Sequence, residues 1–370
     1  MNGRRRGFLL LSVTALISCV ALVCERTGFG EEPYKLEPLP PAQSVNPEQA
    51  ALGRRLFFDP RLSGDGSMSC ATCHKPDAGW ADGLPLSIGY PGSLYFRNTP
   101  TVLNAAHGAY SYWDGRLPAA DLPTVVRDHL TEAHFLQLDG RLGIERLRQI
   151  PEYEEGFKKA FGGVPGYGKI LNAVAAYLKT LRSKNIPFDR FLAGEESALS
   201  ADAKTGMDLF KGRAGCIRCH SGGMLSDGRF HATGAPENPD VFATPERHIT
   251  FRRFLKTLGV SDYATLREDI GRSAVTKEPQ DRNAFRTPTL RELTRTAPYM
   301  HNGTFKSLDD VVEFYNRGGG KENRAGLKPL GLSSREKKAL VEFLKSLSGD
   351  EVLDDPGLSP MYQVRTLGKN

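Results

Sequence analysis

The sequence predicts a mainly α-helical protein in which one structural unit occurs twice along the chain. Apolar residues recur at helical spacing in many segments, whereas no segment shows the alternating pattern that is typical of a half-buried strand. Residues 53–57 (GRRLF) resemble residues 206–210 (GMDLF), and residues 99–101 (TPT) recur as residues 287–289 (TPT). Such self-similarity indicates an internal repeat, and the length of 370 residues is enough for two domains.

The helices of the first half follow from their start signals and their spacing. Asn46 followed by Pro47 is a typical helix start and predicts a helix over residues 46–58. Residues 75–118 are rich in glycine and proline and predict irregular structure. Helical spacing then returns in four segments, which are residues 120–131, 140–149, 152–162 and 168–182.

The second half repeats this order with one long insertion. A boundary is expected within residues 183–199, and a helix over residues 201–211 opens the second unit. Residues 230–285 form the insertion and contain a basic helical segment at residues 248–258. Two further helices complete the prediction, at residues 307–316 and 333–347.

The N-terminus, residues 1–24, carries an export signal. Three arginines precede the apolar residues 8–17, which is the pattern of a signal peptide. Residues 16–19 (LISC) fit a lipoprotein cleavage box, in which Cys19 becomes the lipidated N-terminus. A plain cleaved signal peptide and an uncleaved anchor that runs to residue 24 are the alternatives. We expect a periplasmic protein, anchored through Cys19 if the lipoprotein box is used, with residues 25–45 as an extended tether.

The charge balance excludes one class of partner. The chain has 49 Lys and Arg against 43 Asp and Glu, which gives a formal net charge of +6. Arginines of the export signal contribute part of this charge, so the mature chain is only mildly basic. We therefore expect no nucleic-acid partner.

Two copies of one short motif carry the strongest chemical signal. Residues 70–74 (CATCH) and 216–220 (CIRCH) each hold two thiols at C-x-x-C spacing, with a histidine directly after the second. This is the attachment pattern of a c-type haem, in which the thiols bind the porphyrin covalently and the histidine binds the iron. A zinc site normally has its cysteine pairs close together, and a redox C-x-x-C does not explain both histidines. We expect two haems c, held by Cys70, Cys73 and His74 and by Cys216, Cys219 and His220.

Beyond these motifs, the chain resembles the bacterial di-haem cytochrome c peroxidase family, including its MauG branch. The resemblance covers roughly residues 46–350 and is carried by both haem motifs and by residues 56–63, 97–101, 113–116, 287–291 and 296–303. It implies two cytochrome-c-like α domains, each with one haem. The N-terminal domain (residues 46–190) would hold the peroxide-reactive haem. The C-terminal domain (residues 191–350, including the insertion) would hold the electron-transfer haem, and residues 351–370 would form a tail.

Two tyrosines depart from common patterns of this family. Members that need reductive activation have a distal histidine after a Ser-Ile-Gly or similar triplet, and here Tyr90 follows Ser87-Ile88-Gly89. We expect the first iron to be open, or at most weakly capped by Tyr90. Tyr315 stands where members with a methionine-ligated second haem have that methionine, which is the MauG-type arrangement. A phenolate ligand is hard and favours oxidised iron; the alternative for Tyr315 is a core aromatic on a helical face.

The resemblance also assigns roles to residues between the haems. Trp113 corresponds to a tryptophan that lies between the two haems and would relay electrons. Asn98, Thr296 and Pro298 match positions that help to hold a calcium ion between the domains, and a set of oxygen ligands suits such a cation. We therefore expect one calcium ion.

Peroxide cleavage also needs a group that moves a proton, and in the family a glutamine and a glutamate occupy the distal pocket. The segment that follows Trp113 does not align without gaps. Our candidates for the acid–base group are, in order, Glu132, His134 and Asp121. Pro123 or Val125 falls where the glutamine is expected.

Several other side chains are candidates for supporting roles. Arg97 and Arg286 would pair with the haem propionates, because a guanidinium binds a carboxylate through two hydrogen bonds; salt bridges elsewhere are the alternative. His301 lies in a matching motif near the second haem, where we expect a hydrogen-bonding role. The remaining histidines have no motif and are expected to be structural or exposed: His107, His129, His231 and His248.

These residues together predict a peroxidase. Hydrogen peroxide would be reduced at the first haem, and oxidising equivalents would pass through Trp113 to the second haem. They would then oxidise a small electron-transfer protein or a side chain of a partner protein. The alternative function is a non-enzymatic di-haem electron-transfer cytochrome. The insertion contains five basic residues that would either dock a partner or lie on a solvated helix: Arg247, His248, Arg252, Arg253 and Lys256.

Overall fold

Thirteen α-helices, joined by long irregular segments, form the framework of residues 34–355, which are the residues that the computed structural model describes. The predicted signal peptide, the lipidation site at Cys19, the first part of the tether and residues 356–370 lie outside the described residues. The helices are α1 (Pro47–Phe58), α2 (Cys70–Cys73), α3 (Leu122–Thr131), α4 (Gly140–Arg148), α5 (Pro151–Phe161), α6 (Tyr167–Thr180), α7 (Pro187–Leu192), α8 (Ala201–Lys211), α9 (Asp240–Ala243), α10 (Pro245–Thr257), α11 (Ser273–Thr276), α12 (Leu308–Asn316) and α13 (Ser334–Lys345). The mainly α-helical fold class is confirmed.

The predicted helices of both halves are present, with ends that differ by a few residues. Asn46 caps α1, because its side-chain oxygen accepts the backbone N–H groups of Glu48 and Gln49 at 2.9 and 3.1 Å. Ser333 and Glu336 form a reciprocal capping box at the start of α13. The expected boundary segment, residues 183–199, contains α7.

Two short antiparallel ladders correct the expectation that the chain has no strands. β1 (Tyr110–Ser111) pairs with β2 (Leu117–Pro118), and Tyr110 lies opposite Pro118. β3 (Phe230–His231) pairs with β4 (Phe285–Arg286), and Phe230 lies opposite Arg286. A strand of two residues is too short to produce an alternating pattern, so the sequence carried no signal for it.

Both halves are built on the same helix crossing. In the first half α1 packs against α6, and in the second half α8 packs against α13. A glycine lies at each crossing: a Cβ atom on Gly53 would be 1.8 Å from the carbonyl oxygen of Ala173, and one on Gly206 would be 1.9 Å from that of Ala339. Only glycine permits so close an approach of two backbones. The repeated G-x-x-L-F segments are therefore equivalent contacts in the two units.

The hydrophobic core of the described residues has three clusters. The first lies around α1, α3, α5 and α6, and the second around α7, α8, α12 and α13. The third joins the insertion to the first half, because the ring of Phe96 lies 5.3 Å from that of Phe251 and 5.1 Å from that of Phe254. The insertion thus covers part of the N-terminal half.

The insertion helix α10 differs from a fully solvated basic helix, since one of its faces is buried. Arg247 donates hydrogen bonds to the carbonyl oxygens of Ser87 and Tyr95, so its charge is directed into the molecule. Arg253 and Lys256 are exposed. A helix that is apolar on one face and basic on the other packs with its apolar face inward.

The described parts of the tether and of the tail pack against the helical body. Leu39 is buried in the second cluster, and the carbonyl oxygen of Lys35 accepts the N–H of Gly222 at 2.7 Å. In the tail, the carbonyl oxygen of Val352 accepts the indole N–H of Trp80 at 2.7 Å. Within residues 34–355, none of the helices has the length and apolar character needed to cross a membrane.

Candidate haem-binding site

A cavity of about 410 Å³ extends from the first C-x-x-C-H motif to the second half of the chain. Cys70, Cys73 and His74 line it on one side, and Ser226 and Arg286 on the other. Its remaining walls are largely apolar and include Val125 and Val126 of α3 and Val174 and Leu178 of α6. A concave, mostly apolar cavity with a few polar groups is typical of a cofactor site.

The first motif presents its three side chains to this cavity. Cys70 and Cys73 begin and end the short helix α2, and neither is in a disulfide. Burial raises the pKa of the Cys70 thiol to about 12 and that of Cys73 to about 11, so both are neutral. His74 Nδ1 donates to the carbonyl oxygen of Trp80 at 3.2 Å, which leaves a lone pair on Nε2. Two free thiols and an imidazole with an unprotonated Nε2 fit a covalently attached haem.

The second motif has the same local arrangement. His220 Nδ1 donates to the carbonyl oxygen of Leu225 at 2.9 Å, so its Nε2 is again unprotonated. Cys216 and Cys219 are free thiols. Tyr315, on α12, is close enough to both thiols for them to raise its pKa, after the larger effect of burial. The structure therefore brings Tyr315 together with the second motif.

Trp113 lies on the cavity wall and forms hydrogen bonds with residues of both halves of the chain. Its indole N–H donates to the carbonyl oxygen of Asn98 at 2.9 Å, and its own carbonyl oxygen accepts the N–H of Arg286 at 2.9 Å. The side chain is 9% exposed. Residue 113 therefore contacts residue 98 of the first half through its indole and residue 286 of the second half through its backbone.

The two candidate propionate partners have different surroundings. Arg97 is 1% exposed and forms ion pairs with Asp114 at 2.5 Å and with Asp269 at 2.6 Å, so its charge is already balanced. Arg286 also lines the cavity, and no ion pair with a carboxylate is present for it among the described residues. Burial lowers its pKa to about 10. Arg286 is therefore the better fit to an anionic group in the cavity.

The structure does not bring the predicted distal residues to this cavity. Tyr90, Glu132 and His134 are absent from its lining, and Asp121 caps α3 by accepting the N–H of Thr124 at 3.2 Å. Burial and a hydrogen bond to Asp65 raise the pKa of Tyr90. The His134 ring stacks on Tyr95, with centroids 5.0 Å apart, and its buried Nε2 has no partner in the described structure.

The group that α3 does present to the cavity is His129, to which the sequence assigned no role. Its ring centroid lies 6.2 Å from that of His74, and it stacks on Phe135 at 4.5 Å. Burial, and then the proximity of His74, lower its pKa to about 3. The helical spacing of Leu122, Val126 and His129 on one face was the available signal, because it places the imidazole among core residues.

The predicted calcium ligands and His301 have hydrogen bonds or ring contacts of their own, and Asn98 also lines the cavity of the first motif. The Asn98 side chain donates to the carbonyl oxygen of Leu84 at 2.8 Å, and the Thr296 hydroxyl donates to that of Glu292 at 3.2 Å. Pro298 follows a cis peptide bond. His301 stacks on Phe285 with centroids 3.6 Å apart and lines a second cavity of about 670 Å³.

Comparisons with known proteins agree with this site. The family model described as di-haem cytochrome c peroxidase matches residues 47–197. Cytochrome-c peroxidase IdrP2 of Pseudomonas sp. (strain SCT) is 47% identical over 361 residues, which cover 97% of each chain. Methylamine utilization protein MauG of Methylorubrum extorquens is 39% identical over 321 residues, which cover 85% of this chain and 82% of that protein.

A solved structure has the same fold. The crystal structure of a MauG-like protein associated with microbial copper homeostasis superposes with a TM-score of 0.70 and 27% identity, covering 87% of this chain and 95% of that one. The similarity to these relatives extends over most of the chain, and the fold and the paired haem motifs agree with it. The chain belongs to the di-haem cytochrome c peroxidase family, and it is a peroxidase with two c-type haems.

Proposed function

We propose that this enzyme reduces hydrogen peroxide in the cavity at Cys70, Cys73 and His74 and oxidises an external protein through its second haem. Bound at the two motifs, the haems would supply the redox chemistry, which is the two-electron reduction of peroxide to water. The observation that carries the proposal is one cavity shared by both halves, with Trp113 on its wall. The export signal supports a periplasmic location.

The residues of the first site would hold the cofactor in a largely apolar cavity. The two thiols would attach the porphyrin covalently, and the hydrogen bond from His74 Nδ1 to the carbonyl oxygen of Trp80 leaves Nε2 free to bind the iron. Arg286, half-buried and without a carboxylate partner in the described structure, would pair with an anionic edge of the cofactor. The apolar side chains of α3 and α6 make the site a low-dielectric one, which strengthens each of these interactions.

Trp113 and Tyr315 support transfer of oxidising equivalents to the second half. The Trp113 indole donates to Asn98, and its backbone accepts from Arg286, so a single residue contacts both halves. Tyr315 lies next to the thiols of the second motif and would bind the second iron as a hard anionic ligand. This arrangement favours MauG-type chemistry, in which the donor is a side chain of a partner protein, over a small electron-transfer protein.

We also propose one calcium ion at Asn98, Thr296 and Pro298. Side-chain and carbonyl oxygens are the ligands that calcium prefers. The backbone N–H of Asn98 donates to the carbonyl oxygen of His301 at 2.7 Å, so the segments around these residues meet. A calcium ion there would tie the two halves together near Trp113.

The experiment that tests the function is a titration of the di-haem protein with stoichiometric peroxide, carried out once on the fully ferric protein and once after partial reduction, and followed in the visible and near infrared. Reaction in either state supports the function. We expect consumption of peroxide, altered spectra of both haems and a near-infrared band from sharing of oxidising equivalents. Trp113→Phe should still consume peroxide but lose the change at the second haem. Tyr263→Phe, in the insertion and away from both motifs, is the control and should behave as wild type. A spectrum that peroxide leaves unchanged, before and after partial reduction, would instead indicate a non-enzymatic electron-transfer cytochrome.

A further inference from the structure

We propose that His129 binds the first haem on the side opposite His74, as a sixth ligand that closes this haem in the resting enzyme. The inference rests on the proposed function in one respect, since it concerns the haem at which peroxide would react. It replaces the expectation, drawn from Tyr90, that this haem is open. A distal imidazole is present after all, but it comes from helix α3 rather than from the loop at residue 90.

The distance between the two imidazoles supports this assignment. The ring centroids of His74 and His129 are 6.2 Å apart, with an angle of 56° between the ring planes. Two imidazoles that bind one metal ion from opposite sides, each through a bond of about 2 Å, have centroids about 6 Å apart. Direct stacking would bring the rings closer, as with His129 and Phe135 at 4.5 Å. The spacing of His74 and His129 thus matches a pair with one ion between them.

The hydrogen bonds of His129 leave the correct nitrogen free. Its Nδ1 lies 2.9 Å from the carbonyl oxygen of Val125 and 3.1 Å from the hydroxyl of Tyr112. A carbonyl oxygen only accepts, so Nδ1 carries the hydrogen and Nε2 has a lone pair. His74 and His220 are held in the same way, through Nδ1 and a carbonyl oxygen. This is the arrangement that orients histidines for metal binding.

The ring is also held in place by its neighbours. The Tyr112 ring lies 5.2 Å from His129 at an angle of 9°, and the Phe135 ring packs at 13°. The imidazole therefore lies within an aromatic stack and keeps its orientation without the haem. An imidazole that is positioned in advance loses little conformational entropy on binding.

Other polar groups on the cavity wall fit the sixth position less well. The His107 ring is directed to Arg182, with its Nε2 3.4 Å from the guanidinium. The Tyr112 hydroxyl is hydrogen-bonded to His129 Nδ1. Burial raises the pKa of Tyr112, which disfavours the phenolate. Asp227 accepts from His231 at 2.8 Å in the second half. His129 combines a free ring nitrogen with a ring centroid 6.2 Å from that of His74.

The test is spectroscopic and uses the ferric di-haem protein. Wild type should show both haems as low-spin by electron paramagnetic resonance and should bind cyanide slowly. His129→Ala should convert one haem to high-spin and speed cyanide binding by about tenfold or more, because no internal ligand has to leave first. Added imidazole should restore the low-spin spectrum. His248→Ala, on α10, is the control and should resemble wild type.

A second variant keeps the proposal testable if the alanine variant does not mature. His129→Met places a thioether at the same position and should keep the haem low-spin while raising its reduction potential. A high-spin haem in ferric wild type, or an unchanged first haem in both variants, would overturn the assignment. These spectra do not depend on turnover. Loss of peroxide consumption in every protein would count against the proposed function and leave the ligand question to the spectra.

Discussion

The hydroxyl of Tyr315 is the atom that distinguishes this second haem site from a methionine-ligated one. Burial, and then the nearby thiols of Cys216 and Cys219, raise the pKa of this side chain, so without a metal it is a neutral phenol. A bound ferric ion reverses this preference, because a metal ion is the largest charge in its site. The phenolate would then favour the oxidised state of the iron.

Replacement of this hydroxyl gives the first prediction. Tyr315→Phe should remove one ligand from the low-spin second haem, convert it to high-spin and raise its reduction potential. Electron paramagnetic resonance and a redox titration of the ferric protein measure both effects. Tyr263→Phe, in the insertion, is the matched control and should change neither. A low-spin second haem that persists unchanged in Tyr315→Phe would show that the ring serves packing alone.

At the residue scale, the sequence predicts those functional side chains that belong to a short local motif. The C-x-x-C-H motifs name their thiols and histidines directly, and the structure presents those of the first motif to the cavity. His129 was missed because its partner, His74, is distant in sequence and no motif joins them. Arg97 and Arg286 looked equivalent as basic residues of similar segments. Only the fold reveals that Asp114 and Asp269 already balance Arg97.

At the scale of elements, the glycines of the two helix crossings carry the second prediction. Gly53→Ala and Gly206→Ala would each push a methyl group into a facing carbonyl oxygen, at 1.8 and 1.9 Å, so the helices must separate. We expect each to lower the free energy of unfolding by about 1–3 kcal/mol or more. Urea denaturation of the haem-loaded wild type and variants measures this loss of free energy.

A third glycine provides the control for this prediction. Gly168 lies in the first turn of α6, and a Cβ there would meet no atom within 4 Å. Gly168→Ala should therefore leave stability unchanged or raise it by up to about 1 kcal/mol, through helix propensity alone. If Gly53→Ala and Gly168→Ala changed the free energy of unfolding equally, the two helices would be farther apart at their crossing than in the structure.

The helices were predictable wherever local signals define them. Asn46 with Pro47 and Ser333 with Glu336 mark helix starts within four residues of sequence. The position of the insertion was not predictable, because it depends on contacts such as that between Phe96 and Phe251, which are far apart in the chain. The short ladders were missed for the same reason, since each depends on a partner strand rather than on its own pattern.

At the scale of the whole molecule, a buried network of charges joins the insertion to the first half. Asp269 and Glu237 come from the insertion, and Arg97 and Asp114 come from the first half. Glu237 accepts the backbone N–H of Asp269 at 3.0 Å. Burial, and then the nearby carboxylates of Asp269 and Glu268, raise the pKa of Glu237 to about 7, although Arg97 acts in the opposite direction.

This raised pKa predicts how stability depends on pH. In the unfolded chain a glutamate has a pKa of about 4.3, so between that value and about 7 the folded protein holds a proton that the unfolded chain has released. The stabilisation is complete below the unfolded pKa and is lost as the pH rises through the folded pKa. Buried histidines with lowered pKa values, such as His134 and His301, act in the opposite direction. Wild type and a variant at position 237 share these histidines, so the difference between their stabilities reports the ionisation of Glu237 alone.

Glu237→Gln keeps a side-chain oxygen that accepts from Asp269 but has no proton to lose. The variant should therefore gain stability relative to wild type as the pH rises from 5 to 8, by on the order of 2 kcal/mol. Urea unfolding of both haem-loaded proteins at several pH values measures this difference. A difference that stays constant across the range would show that Glu237 ionises normally in the folded protein. A difference that grows with pH would show that the junction of the insertion with the first half stores a proton, and that the charge network there contributes to the stability of the entire molecule.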